Sequence, residues 1–248
     1  MPGIQNQPGV ASIIMTKTSH TSTTLPANPS FEDVVRCRRS VRGFLPKAVP
    51  QELLHEIFSL AQLAPSNCNI QPWKVAVASG RSCRQLRDKL VTAVIEGHKP
   101  NPDHQRVDKF EGVFRQRQVD TAVALYGNMN IARNDSEGRR RASLRNFEFF
   151  DAPHAAFIAM PKIFNESVAV DVGMYAQNLM LAMTARGLGS CAQASVSRYP
   201  DIIREHFGWH DSLAVLMGIS FGYEDPSVPA NRTVVPRADI RDEVIFLD

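Results

Sequence analysis

Long apolar runs are missing from this sequence. Nothing approaches the roughly 18 consecutive apolar residues of a membrane-crossing helix, so a helical span and a membrane partner are not expected. Strong charge imbalance is missing too. A net charge of +3 over 248 residues, with no basic stripe interleaved with aromatics, argues against a nucleic-acid partner. The densest basic run, Arg139-Arg140-Arg141, reads as a solvated loop or helix start. Cysteines are few and scattered: Cys37, Cys68, Cys83 and Cys191 show no CxxC spacing, which argues against a disulfide framework or zinc knuckle and for a reducing cytoplasm. Charge is nearly absent from residues 1–30, where Lys17 is the only Lys, Arg, Asp or Glu. That stretch is rich in Ser, Thr, Pro and Asn and lacks helical periodicity, so it reads as a disordered tail. It has no charged segment before an apolar core, as a secretory signal requires, and no arginine, as a transit peptide requires.

What remains, residues 31–248, reads as one domain with an ample core, since 44% hydrophobic and 21% charged residues are ordinary for a globular chain. Ser30 followed by Glu32 and Asp33 predicts a helix to about Arg38. Pro50 starts a second, with Leu53, Leu54, Ile57, Phe58 and Leu60 on its apolar face. Residues 73–78 alternate as a strand, and Ser82 is the expected cap of the next helix. Residues 97–150 are the least legible, with one helical segment near 119–131, and read as a lid or substrate-binding excursion. Tyr126, Phe147, Phe149 and Phe150 are its candidates for core or pocket wall. Residues 155–160 and 213–220 read as buried strands, 166–186 as a long central helix stopped by Gly187, 190–195 as a small-residue segment, 200–207 as a short helix, and 244–247 as strand-like.

Three motifs fail in context. Gly218-Ile219-Ser220-Phe221-Gly222 matches a nucleophile elbow, but no helix-forming stretch follows the serine and no histidine follows His210. Gly187-Leu188-Gly189-Ser190-Cys191-Ala192 matches a relaxed dinucleotide fingerprint, yet follows a helix rather than a strand. His206 and His210 are separated by a helix-breaking Gly208, and no third ligand is near.

The chemistry concentrates in Arg38-Arg39-Ser40-Val41-Arg42. In an extended chain, Arg38, Ser40 and Arg42 point to one side, a comb of donors suited to a phosphate dianion. A solvated basic edge, or cations at a helix C-terminus, would use the same residues. A second stretch, Pro65-Ser66-Asn67-Cys68-Asn69-Ile70-Gln71-Pro72-Trp73, reads locally as turn chemistry leading into a strand, with Trp73 packed in the core.

Together the two stretches resemble the FMN-dependent nitroreductase family. The order is R-R-S-x-R, an apolar helix, A-P-S-x-x-N-x-Q-P-W, a Gly-Leu-Gly stop and a late arginine, from Phe31 to the C-terminus. The resemblance implies an α+β nitroreductase-like fold: a mixed, mainly antiparallel sheet flanked by helices, in a homodimer with exchanged C-terminal arms and FMN at the interface. It implies that Arg38, Arg39, Ser40 and Arg42 hold the phosphate and flavin edge, joined by Arg237, with Arg232 as runner-up. Pro65, Ser66, Asn67 and Asn69 would reach the same flavin from the other subunit, and Ala192, Gln193 and Ala194 would lie along its ring. The implied activity passes electrons from NADH or NADPH through FMN to a nitroaromatic or quinone. With no separate nucleotide-binding domain, reductant and acceptor take turns in one site. No residue is nominated as a protein acid or base. Dehalogenation, flavin fragmentation or a dehydrogenation on the same scaffold, and a non-catalytic anion-binding module, are the alternatives.

Overall fold

A computed structural model describes residues 25–105, 107 and 109–247. Most of the expected tail, residues 1–24, lies outside the described residues. Ser30 opens α1 (Phe31–Cys37) through a reciprocal capping box with Asp33, which satisfies two otherwise orphaned N–H groups. The chain continues through α2 (Gln51–Ala61), β1 (Lys74–Ser79), α3 (Gly80–Ile95), α4 (Gly112–Asn128), α5 (Ser136–Leu144), β2 (His154–Pro161), α6 (Glu166–Ala185), β3 (Gly189–Gln193), α7 (Pro200–Phe207), β4 (Leu213–Gly222) and α8 (Ile240–Glu243).

The four strands form one sheet in the order β1-β2-β4-β3, antiparallel at each step. β2 carries no carboxylate, lysine or arginine and is buried almost throughout, because helices cover both of its faces. Ala155 and Phe157 face the core made with α3 and α7. Ala156, Ile158 and Met160 face the core made with α2 and α6. Each fully buried large side chain contributes about 1.5–3 kcal/mol, so this sandwich of two apolar layers supplies the bulk of the stability. The mixed character expected of the sheet enters through residues 40–45. Ser40 bridges Ser190 in parallel and Phe44 bridges Glu224 in antiparallel fashion, so the basic pentapeptide runs along the open edge of β3 and covers it.

Several local expectations shift. α3 begins at Gly80 with Ser79 at its cap position, while the Ser82 hydroxyl pairs with His206 instead. The small-residue segment is β3, which lacks branched residues and owes its conformation to pairing with β4. α4 starts earlier than its apolar residues indicate, and α5 has no counterpart among the expected helices. Residues 244–247 are not a strand; they follow α8 exposed. Trp73 is buried and stacks on Tyr175 at 5.0 Å. Ser220 is fully buried and donates to Gln193, consistent with a sheet residue rather than a nucleophile. Among the described residues no helix is long and apolar enough to cross a membrane.

Candidate active site

The comb forms because the chain leaves α1 extended at Arg38 and stays extended along β3. Val41 turns inward, 2% exposed, and its N–H donates to the Ser190 carbonyl at 3.0 Å. A Cβ on Gly189 would stand 2.7 Å from Val41 Cγ2, so only glycine allows β3 this close to the pentapeptide. Arg38, Ser40 and Arg42 converge on Cys191. Burial pushes that thiol's pKa up, while Arg42, the Ser40 hydroxyl bonded to the sulfur, and Arg38 pull it down. Arg39 points the other way. Its guanidinium donates to Glu224 and, at 2.9 Å, to the Asn231 carbonyl. Arg39 is therefore a strut between the pentapeptide and the chain after β4, on the side opposite Arg38 and Ser40 that period-two alternation assigns it.

Arg38 is half-buried and its pKa is lowered, first by burial and then by the positive charge of Arg237. Among the described residues no carboxylate pairs with either side chain. A half-buried cation with a second cation drawn toward it and no counter-ion fits an anion between them. Ser190, paired directly with Ser40, adds a buried hydroxyl with no partner among the described residues. Both observations fit the phosphate end of FMN. Arg232 is exposed in the turn before the arm, and Arg237 is the one coupled to Arg38.

Arg42 leads from the comb to a cavity of about 280 Å³, walled by Tyr126, Met129, Asn146, Phe150 and Pro229. Its inner wall is a turn with three consecutive non-glycine residues at positive φ: Phe149 (55°), Phe150 (54°) and Asp151 (63°). The left-handed region costs roughly 1–2 kcal/mol per residue for an L side chain. Arg145 fastens the turn, donating to Glu148 at 2.8 Å and Asp151 at 2.7 Å. Phe147, Phe149 and Phe150 go into the core, and Phe150 also lines the cavity together with Tyr126. Gln193 links this turn to the sheet: its amide donates to the Asn146 carbonyl at 2.6 Å and accepts from Ser220. Its side chain thus faces inward, 2% exposed, leaving only backbone for a ligand, while Ala192 and Ala194 are exposed on either side.

The Pro65–Trp73 stretch belongs to another part of the chain. Asn67 N–H donates to the buried Asp171 carboxylate of α6 at 3.1 Å, and Gln71 N–H to Ser66 Oγ at 3.0 Å. Pro65, Asn67 and Asn69 are exposed, and Cys68, Asn69 and Gln71 all adopt positive φ. Among the described residues the loop's hydrogen bonds lead to α2 and α6, not to the comb. Asn231 is a site residue that sequence reasoning misses. Buried in a turn after β4, it accepts from Arg42 N–H at 2.6 Å and donates to the carbonyls of Gly43 and Asp225, both at 2.9 Å. Nothing in its surroundings in the sequence marks it.

A family model described as the Nitroreductase family matches residues 35–223. The chain belongs to that family. It is 39% identical over 229 residues to the nitroreductase NfnB of Mycolicibacterium smegmatis, covering 90% of this chain and 97% of the relative. A 4-nitrobenzoate reductase of Pseudomonas putida is 34% identical, covering 84% of this chain and 91% of the relative. Among solved structures, the FMN-dependent nitroreductase NfnB from Mycobacterium smegmatis in complex with NADPH superposes with a TM-score of 0.84 over 88% of this chain and 97% of that one. The nitroreductase-like fold expected from the sequence is therefore present. The matched span holds the comb, the Pro65–Trp73 loop and β3, but stops at Tyr223, short of Asn231 and Arg237.

Proposed function

We propose that the protein is an FMN-dependent oxidoreductase that takes electrons from NADPH or NADH and passes them to a nitroaromatic or quinone, working as a homodimer. The observation that carries this reading is the half-buried Arg38, which follows α1 two residues before Ser40, feels the charge of Arg237 and has no carboxylate partner among the described residues. Family membership and the similarity to FMN-dependent, NADPH-binding and nitrobenzoate-reducing proteins support it. FMN, when bound, supplies the hydride- and electron-transfer chemistry.

The chain's own residues bind and orient. Arg38, Ser40 and Arg237 hold the phosphate, Arg42 faces the pyrimidine edge, and the backbone of 192–194 lies against the ring. Several charge-assisted hydrogen bonds of about 1.5–3 kcal/mol each are enough to retain the cofactor through purification. Arg39 supports the comb rather than touching the phosphate. Pro65, Ser66, Asn67 and Asn69 reach the cofactor across the dimer interface. That role agrees with a loop tied to α2 and α6 and with apolar side chains left exposed at Leu63 (77%), Ile245 (85%) and Phe246 (79%). Reductant and acceptor use the site in turn, giving ping-pong kinetics. The wide cysteine spacing supports the cytoplasm as its compartment.

The test is the absorption spectrum of the purified protein, followed by titration of the apoprotein with FMN and riboflavin. Steady-state oxidation of NADPH and of NADH with 4-nitrobenzoate should then give parallel double-reciprocal lines. A colourless protein that FMN cannot reconstitute overturns the assignment.

A further inference from the structure

The turn at Phe149–Asp151 packs both phenylalanines in the core at a cost in backbone conformation. Two phenylalanines and an aspartate occupy the left-handed region in succession, where glycine or asparagine is the usual occupant. Residues held in such conformations persist only where their surroundings enforce them, and they cluster at ligand clamps and active sites. Here the enforcement is visible. Arg145 grips Glu148 and Asp151, its carbonyl accepts from Phe150 N–H at 3.0 Å, and the Gln193 amide holds the Asn146 carbonyl. Both phenylalanines are buried in the core made with α3 and α7. Phe149 lies edge-on to Phe157 at 5.7 Å, while Phe150 also walls the cavity that Arg42 opens into.

The dimensions of that cavity select its occupant. A volume of about 280 Å³ lies just below the usual range of small-molecule sites, about 300–1,000 Å³. An apolar cavity of about 150 Å³ already takes benzene, so in proportion this one holds about eleven non-hydrogen atoms: a benzene ring with a nitro or carboxylate group fits, and a fused bicyclic ring carrying the same group exceeds it. Leu125, Tyr126, Met129, Phe150 and Val228 give it apolar walls, and Ser143 and Asn146 give it polar atoms that orient a ligand. It touches the proposed flavin site at Arg42 and, through Asn146, at Gln193.

We propose that this cavity seats the electron acceptor, and that Phe150, on its Arg145-clasped turn, restricts acceptors to single-ring nitroaromatics. The proposal rests on the flavin-enzyme reading above. Phe150 acts as a specificity-determining wall, and Arg145, itself part of the lining, also holds the turn that carries it.

The test uses the FMN-loaded protein and its Phe150→Ala, Phe150→Leu and Arg145→Met variants. Dissociation constants for benzoate and 2-naphthoate, measured calorimetrically, report on the cavity without requiring turnover. Ratios of kcat/KM for 1-nitronaphthalene against nitrobenzene report on the reaction. Phe150→Ala should shift both ratios toward the bicyclic ligand at least tenfold. Phe150→Leu, the milder change kept in case the alanine variant does not fold, should shift them about threefold. Arg145→Met, which alters the lining as well as the clasp on the turn, should move them in the same direction. Ratios that stay constant while all rates fall together overturn the proposal, since that is the signature of a merely structural residue. A changed FMN affinity with constant ligand ratios also overturns it, and assigns the cavity to the cofactor. Failure of the unaltered holoprotein to reduce either nitro compound sinks the functional reading instead, and the naphthoate-to-benzoate binding ratio still decides the role of Phe150.

Discussion

Arg237, on the C-terminal arm, lies close enough to Arg38, just after α1, to depress its pKa, although burial already does so. The fold neither separates these cations nor gives either a carboxylate among the described residues, while nearby arginines are neutralised: Arg39 by Glu224, Arg145 by Glu148 and Asp151. Arg39 and Arg145, so neutralised, tie segments of the fold together, while half-buried Arg38 is left to meet an anion.

Arg38→Ala and Arg237→Gln should each weaken FMN binding by about 10- to 150-fold, the equivalent of one charge-assisted bond of about 1.5–3 kcal/mol, and leave riboflavin binding nearly unchanged. Without FMN, Arg237→Gln should not lower the melting temperature, because it relieves a repulsion. Fluorescence titration with both flavins, with thermal melts of apoprotein and holoprotein, checks both halves. Equal losses for FMN and riboflavin contradict a phosphate role.

Asp103 should be the most damaging single carboxylate to remove. Its side chain is 4% exposed and pairs with Arg204, 9% exposed, at 2.6 Å and with Lys162 at 2.9 Å. It also accepts from Val215 N–H at 2.9 Å, which fastens the start of the 97–150 segment to β4. Asp103→Ala strands the Arg204 charge beside Asp201 alone and should cost about 3–5 kcal/mol in urea unfolding. Burial alone would raise the Asp103 pKa, but the Val215 N–H, Lys162 and Arg204 outweigh it and hold it below 3.8. The unfolded chain thus binds this proton first. The stability contributed is complete above that value and is lost as pH falls through the lower folded one.

What was legible in the sequence followed from strong local signals. Alternation put Arg38, Ser40 and Arg42 on one side, and Gly187 at φ 72° ends α6 as its position implied. The same alternation turned Arg39 away, a consequence that the family motif obscured. β3 was illegible because Gly-Ser-Cys-Ala-Gln has little strand preference of its own and is held by β4. α4 has no buried residue, so no apolar stripe betrays its first turns. The left-handed turn at 149–151 contains neither glycine nor asparagine, and Asn231 acts through contacts with residues far away in the chain; no single-sequence signal announces either.

Gln193 gives a test of how the turn is coupled to the sheet. Gln193→Ala leaves the Ser220 hydroxyl, fully buried, without its partner, and the Asn146 carbonyl with only the Phe149 N–H at 3.3 Å. At about 1–3 kcal/mol for an unsatisfied buried group, the loss should fall in that range. Adding Ser220→Ala removes the stranded hydroxyl and should recover part of it. Chemical denaturation of the single and double variants measures the coupling; strict additivity would mean that the two side chains act independently.

His154 should make stability fall on the acid side of neutrality. It is 3% exposed, stacks on Phe221 at 5.2 Å, and its Nε2 accepts from Val49 N–H at 3.0 Å. A nitrogen that accepts from a backbone N–H carries no proton, so Nδ1–H donates to Ser79 Oγ at 2.7 Å and the ring is neutral. Burial lowers its pKa below the ordinary 6.5, and protonation would set a charged N–H against that of Val49. Between the lowered folded value and 6.5 the unfolded chain binds the extra proton. The stabilisation is therefore complete above 6.5 and disappears as pH drops toward the folded value. His206, also lowered by burial and by Lys89 against the opposing pull of Glu205, contributes in the same sense but is more exposed. The difference between the unaltered protein and His154→Gln isolates the buried ring, because glutamine retains an acceptor for Val49 and does not titrate. Urea midpoints measured from about pH 7.5 down to about pH 5, the range that brackets an ordinary histidine, should decline more steeply for the unaltered protein than for His154→Gln. Parallel curves would show that folding leaves the ring's proton affinity unchanged.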